Sequence, residues 1–252
     1  MSRLKKMRLE VVESGPNRYT RNRMVKVNRK IPAEKIKLLI FDLDGTLVDS
    51  RTDLANSVNA MLRHYSRHEL PADVIASYIG DGAPMLVRRS LGDPKDEHFL
   101  QEALKYFLDY YREHKLDHTY VYDGVFPALR GLRHVVNGHP RTMAVLSNKP
   151  VGPSRAIVET LGLGDFFFRI YGGNSFDTKK PDPLGIETLL REAQVTTEEC
   201  VMIGDSDVDV VTARNAEIYC IGCTYGLAPH TLQAAPPDAL VDNPLQWIDV
   251  LS

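Results

Sequence analysis

Residues 38–50 read LLIFDLDGTLVDS: Leu38, Leu39, Ile40 and Phe41 form a short apolar run, and Asp42, Asp44, Gly45 and Thr46 follow at once. An apolar run of this length, bounded by turn residues, predicts a strand buried on both faces. Two carboxylates one residue apart at its end have little structural use, because acids that only solvate a surface can sit on any wet face. The plain alternative is a strand that ends in a charged turn. Against it stands a series of related strings that follow in order along the chain.

From Val125 onward, helix and strand patterns alternate. Strands are predicted at 142–146, 169–171, 201–203, 218–221 and 239–241, and helices at 127–136, 153–161, 183–193, 208–216 and 244–251. That alternation implies an α/β fold, a doubly wound parallel sheet with helices on both faces. In such sheets ligands bind at the carboxyl ends of the strands. Residues 51–120 differ, carrying only helical spacing. Leu54, Val58, Met61 and Leu62 mark one helix, and Val74, Ile75, Tyr78 and Ile79 a second, stopped by Gly80. Pro84 opens a third, and Leu100, Ala103, Leu104 and Phe107 mark a fourth. The division is a core domain of residues 37–50 and 121–252 and an inserted all-α domain of residues 51–120, with hinges near 50–53 and 120–124.

Residues 1–36 hold eleven lysines and arginines against three glutamates, with no sustained period. A flexible basic extension is the leading reading. An initiation codon at Met24 and an electrostatic tether to an anionic surface stay open beside it. Glu10 and Glu13 count against a transit peptide. Over all 252 residues the formal charge is −2, so the core carries no nucleic-acid signature. No apolar run approaches the ~20 residues of a membrane span. Three cysteines, an odd number, do not make a disulfide framework and imply a reducing, cytoplasmic setting.

Four strings carry the chemistry: DLDGTLVDS at 42–50, VLSNKP at 145–150, TKKPDP at 178–183 and GDSDVD at 204–209. Together they resemble the haloacid-dehalogenase-type phosphatases, whose signatures are DxDGTLxDS, a Ser or Thr at a strand tip, a Lys before Pro, and GDxxxD. The resemblance runs from about residue 37 to the C-terminus. It implies a Rossmann-like core under a helical cap, and Mg²⁺-dependent hydrolysis of a phosphomonoester. Asp42 would be the nucleophile that forms an aspartyl-phosphate, and Asp44 the acid and then the base. Ser147 and Asn148 would donate to phosphate oxygens without adding charge. Lys180 would supply positive charge, although many relatives carry Gly before this Lys. One oxygen of Asp42, the backbone carbonyl of Asp44, and Asp205 would hold Mg²⁺. Asp209 would support the site or hold Lys180, while Asp207 and Lys179 face solvent. The need for cations is plain from Coulomb's law: a carboxylate approaching a phosphate dianion at ~4 Å and an effective dielectric of ~20 meets roughly 8 kcal/mol of repulsion.

DSRTDLANSVNAML at 49–62 and YIGDGAPMLVRRSLG at 78–92 resemble the phosphoglycolate-phosphatase branch. There Arg88 or Arg89 could meet a substrate carboxylate, or lie on an exposed helix face. The implied partner is a small phosphorylated metabolite, 2-phosphoglycolate first. A sugar phosphate, pyrophosphate, a phosphosugar mutase reaction or a non-catalytic phosphate-binding role remain, and monomer and homodimer are both open. Other motifs fail: GxxxxGK[ST] is absent, and both candidate dinucleotide loops lack their last glycine, at Met85 and Phe167. Cys220 and Cys223 lack the partners of a zinc site. His64 and His68 lack the glutamate of HExxH, since Tyr65 stands in its place. Phe107, Tyr110 and Tyr111 are assigned to cap packing, and Phe166, Phe167 and Phe168 to the core.

Overall fold

The computed structural model describes residues 25–252 apart from 134, 137 and 138. The strands are β1 (Lys26–Val27), β2 (Leu38–Phe41), β3 (Val48–Asp49), β4 (Tyr120–Val121), β5 (Val135–Val136), β6 (His139–Pro140), β7 (Thr142–Leu146), β8 (Arg169–Tyr171), β9 (Cys200–Gly204), β10 (Tyr219–Cys223) and β11 (Ala239–Val241). The helices are α1 (Arg51–His64), α2 (Ala72–Ala76), α3 (Ala83–Ser90), α4 (Glu97–His114), α5 (Val125–Leu132), α6 (Val151–Thr160), α7 (Leu184–Ala193), α8 (Asp207–Asn215) and α9 (Gln246–Val250).

Seven strands form one sheet in the order β1-β11-β10-β9-β2-β7-β8, parallel throughout except for β1. All four side chains of β2 are fully buried. They alternate between two apolar layers, as a strand's period of two requires. Leu39 and Phe41 pack with Leu129, Ile157 and Trp247, whereas Leu38 and Ile40 pack with Ile186, Leu189 and Val210. Phe41 is in register with Val145 on β7 and with Ile203 on β9. The three central strands therefore end side by side, which brings the residues that follow them together.

Two sequence expectations change here. The helix at 127–136 ends instead at Leu132, and β5 and β6 form a short antiparallel pair after it. Two consecutive β-branched valines favour extended backbone over a further helical turn. The basic extension also does not reach residue 36. β1 pairs with β11, Ile31 and Ile36 are buried, and Arg29 donates to both carboxylate oxygens of Asp238 at 2.6 and 3.0 Å. Residues 25–36 thus belong to the folded core, with β1 at the edge of its sheet. The readings placed on residues 1–24 lie outside the described residues.

Helices α1 to α4 share a separate apolar cluster that includes Val58, Met61, Leu62, Ile75 and Phe107. The chain enters and leaves this helical insert through β3 and β4, which pair with Val48 opposite Val121. Asp53, in the first turn of α1, is buried beside that crossing. It accepts hydrogen bonds from the backbone N–H groups of His118 and Thr119 and from Thr119 Oγ1. Among the described residues no helix is long and apolar enough to cross a membrane.

Candidate active site

Asp42 leaves β2 buried, and its backbone N–H still donates to Ile203 of β9. Lys180 lies beside it, with Nζ 2.8 Å from Asp42 Oδ1 and 2.6 Å from Asp209 Oδ1. The other oxygen of Asp209 accepts from the backbone N–H and hydroxyl of Ser206, a capping arrangement at the start of α8. Asp209 therefore anchors Lys180, one of the two roles implied for it. Burial pushes the Asp42 carboxyl up, while the Lys180 ammonium pulls it back. For Lys180 burial works toward discharge, but Asp209 and Asp42 outweigh it and raise its pKa.

Asp205 follows β9 and is buried, with Oδ2 accepting from the N–H groups of Leu227 and Ala228 at 2.6 and 3.0 Å. The Gly45 backbone, at φ +88°, passes so close that a side chain there would overlap the Asp205 carboxylate. Gly226 is held equally close to Asp205. Burial, then Asp209 and Asp42, push the Asp205 carboxyl well above the ordinary carboxylate range. Oxygens of Asp42, Asp205 and Asp209 lie within 4.8 Å of one another. Three buried carboxylates against one shared ammonium leave a surplus of negative charge, and the donors are hard oxygens. Such a set fits a divalent cation. The carboxylate of Asp44 is not in this group, so its implied metal role rests on its backbone carbonyl.

Asp44 is held differently. It accepts from Ser50 Oγ at 2.5 Å and from Lys149 Nζ at 2.9 and 3.1 Å. The sequence points to neither partner, although Ser50 closes the first string and Lys149 stands directly after Ser147 and Asn148. Ser147 is buried at the tip of β7 and lines the same cavity as Asp42, Asp44 and Asp205. Asn148 is there too, but both its amide contacts go to backbone carbonyls, Gly80 at 3.1 Å and Lys180 at 3.0 Å. It therefore ties the helical insert to the Lys180 loop. Lys179 makes a second tie, donating to the carbonyl of Asp81 at 2.6 Å.

The cavity measures about 60 Å³ and lies between the strand ends and the insert. Phe107 and Tyr111 line it, their rings stacked 5.8 Å apart, so two of the three aromatics assigned to packing face the site; Tyr110 stacks on His114 instead. Neither Arg88 nor Arg89 is among the residues lining the cavity. Arg88 pairs with Glu97 and Asp93, and Arg89 with Asp81. Cys220 and Cys223 are buried free thiols packed into opposite layers of the sheet. His64 stacks on Tyr106, and His68 lies beyond the end of α1.

Comparison with known proteins gives the family. A family model described as haloacid dehalogenase-like hydrolase matches residues 39–223. The chain belongs to that family, and within it to the phosphatases. A protein of Chromobacterium violaceum named phosphoglycolate phosphatase is 38% identical over 220 residues, covering 86% of this chain and 96% of that one. One of the same name from Pseudomonas putida is 36% identical over 222 residues, covering 84% and 78%. Among solved structures, a predicted phosphoglycolate phosphatase from Haemophilus somnus superposes with a TM-score of 0.78 at 27% identity, covering 86% of this chain and 99% of its own.

Proposed function

We propose that this protein hydrolyses 2-phosphoglycolate, or a phosphomonoester very like it, through an aspartyl-phosphate on Asp42. The observation that carries the reading is the grouping of Asp42, Lys180, Asp209 and Asp205 at adjoining strand ends, beside a cavity that also presents Asp44 and Ser147. An Oδ atom of Asp42 attacks phosphorus as the ester P–O bond breaks, and Asp44 passes a proton to the departing alkoxide. Asp44 then takes a proton from the water that attacks the phosphorus of the acyl phosphate, releasing inorganic phosphate and freeing Asp42. Lys180 offsets the charge of the nucleophile and of the incoming phosphoryl group. Ser147 donates to a phosphoryl oxygen. Asp42, Asp205 and the Asp44 carbonyl would hold Mg²⁺, which would supply further electrostatic relief for the anionic phosphoryl group.

Residues 51–120 act in this reading as a cap that closes over the core, with β3, β4 and Asp53 at its base. The substrate assignment draws on the curated relatives named above. Three buried free thiols support a reducing compartment, the cytoplasm. The test is a screen of small phosphate esters that includes 2-phosphoglycolate, run with Mg²⁺ and repeated in EDTA. The expected result is turnover of 2-phosphoglycolate that disappears in EDTA and returns with added Mg²⁺. Turnover that persists undiminished in EDTA would reject the metal. Faster turnover of a sugar phosphate would reject the substrate.

A further inference from the structure

Neither arginine of α3 lines the cavity, so a substrate acid must be met by something else. Among the residues lining the cavity, the acids are Asp42, Asp44 and Asp205, and Lys149 is the cation. Lys180 is not on that surface; it stands between Asp42 and Asp209. The wall contributed by the insert is apolar, with Leu54, Ile79, Leu86 and Phe107, apart from Tyr111. The Tyr111 hydroxyl is buried and, as a donor, finds no acceptor among the described residues. Lys149 Nζ lies 4.5 Å from the centre of the Tyr111 ring, so the unused hydroxyl and the ammonium adjoin. A buried donor without an acceptor costs about 1–3 kcal/mol, and a ligand that supplies the acceptor recovers it. Burial pushes the Tyr111 phenol up to about 12, which keeps it a donor at neutral pH.

We propose that Lys149 and Tyr111 form the subsite that recognises a carboxylate on the leaving group, and so select a short phosphorylated carboxylic acid over neutral phosphate esters. The inference rests on the phosphatase reading above. Lys149 touches both oxygens of Asp44, the group that protonates the leaving oxygen. An acid read by Lys149 must therefore sit within a bond or two of that oxygen, as it does on a 2-phospho-acid. The small cavity favours the same size. Without Lys149, a third substrate charge would enter a pocket already walled by three carboxylates. Because Tyr111 comes from α4 and Lys149 from the loop after β7, the subsite exists only when insert and core are together.

The experiment compares 2-phosphoglycolate with 2-hydroxyethyl phosphate, which keeps the chain length and replaces the carboxylate by a neutral CH₂OH. The readout is the acid-to-neutral ratio of kcat/KM in wild type, Tyr111→Phe, Lys149→Gln and Lys149→Arg. Wild type should favour the acid. Tyr111→Phe should lower the ratio by ~10-fold or more, the size of a lost hydrogen bond to a charged group, mainly through KM. Lys149→Gln should lower it further, and Lys149→Arg should restore part of it. A ratio unchanged in the variants, with both esters slowed equally, would overturn the proposal and make Lys149 a positioning residue for Asp44. Should Lys149→Gln fail to fold, Tyr111→Phe, which removes a single oxygen, decides alone. Wild-type turnover with no preference for the acid sinks this inference and leaves the phosphatase reading standing, whereas no turnover of either ester sinks both.

Discussion

On the sheet side of the cavity the charged groups are bound more than once. Lys180 has two carboxylates, Asp209 has Lys180 and Ser206, Asp205 has two backbone donors, and Asp44 has Ser50 and Lys149. On the helical side the wall is aliphatic and aromatic, and the hydroxyl of its one polar side chain, Tyr111, finds no acceptor among the described residues. The first arrangement holds reacting groups in place before a substrate arrives, which electrostatic catalysis requires. The second holds almost nothing polar in place, so replacing one apolar residue reshapes the space without unpairing a charge. In the proposed scheme the sheet side carries the chemistry and shares selectivity with the insert through Lys149 and Tyr111, so mutations on the two walls should differ in kind.

The largest contrast comes from Asp42→Asn. It removes the attacking oxygen anion while keeping shape and an acceptor for Lys180. Turnover should fall by ~10³-fold or more, as with other nucleophile deletions. The fold should remain, since the change also takes one charge out of an overloaded cluster. Steady-state kinetics with a thermal melt checks both, and near wild-type turnover would remove the nucleophile from the scheme.

Asp205 sharpens the comparison through pH. Its carboxyl is raised above the ordinary value of 3.8, so in the metal-free protein the folded state holds a proton that the unfolded state has released. Stability therefore falls as pH rises from that ordinary value through the raised one. Asp205→Asn cannot lose that proton. Its stability relative to wild type should grow with rising pH in EDTA, measured by urea unfolding at several pH values. Mg²⁺ should recover the deficit in wild type and not in the variant. A difference that stays flat with pH would mean that the carboxyl is not strained by its surroundings.

How much of this could be read from the sequence follows the same division. Asp42, Ser147 and Asp205 each stand next to a buried apolar run, so strand prediction and parallel pairing alone put them together. Lys149 sits in the same string as Ser147, but nothing in VLSNKP says which side chain turns toward the cavity. Phe107 and Tyr111 are four residues apart on α4, which puts them on one face of the helix. Spacing cannot say that this face meets the core. The two-residue strand β1 has no periodic signal, and its partner β11 is about two hundred residues away in the chain. Asp53 was equally opaque. An acid in the first turn of a helix is already explained by the helix dipole, so its reach to residues 118 and 119 leaves no trace in local sequence.

Asp53 sits on neither wall but at the base that joins them. Asp53→Ala would leave the N–H groups of His118 and Thr119 without an acceptor in a buried place. A loss of ~2–4 kcal/mol is the expected size for two or more such groups, read as a lower urea midpoint. In the proposed scheme the insert would also close less firmly, so KM should rise more than kcat falls. A change in stability with no change in KM would separate this tie from closure.

The smallest effect should come from Arg88, and its smallness is informative. The sequence makes Arg88 a candidate for the substrate's acid, yet its guanidinium binds both oxygens of Glu97 at 2.7 and 2.8 Å and reaches Asp93 at 3.3 Å. Those partners are exposed, and exposed ion pairs contribute little because water and salt screen them. Arg88→Ala should therefore leave kcat/KM for 2-phosphoglycolate within about twofold of wild type and keep the acid-to-neutral ratio intact. Tyr111→Phe, a far milder change in size and charge, should alter that ratio. If instead Arg88→Ala collapsed the ratio, α3 would have to turn toward the cavity during turnover, and the apolar wall described here would be only one of two faces the insert presents to the core.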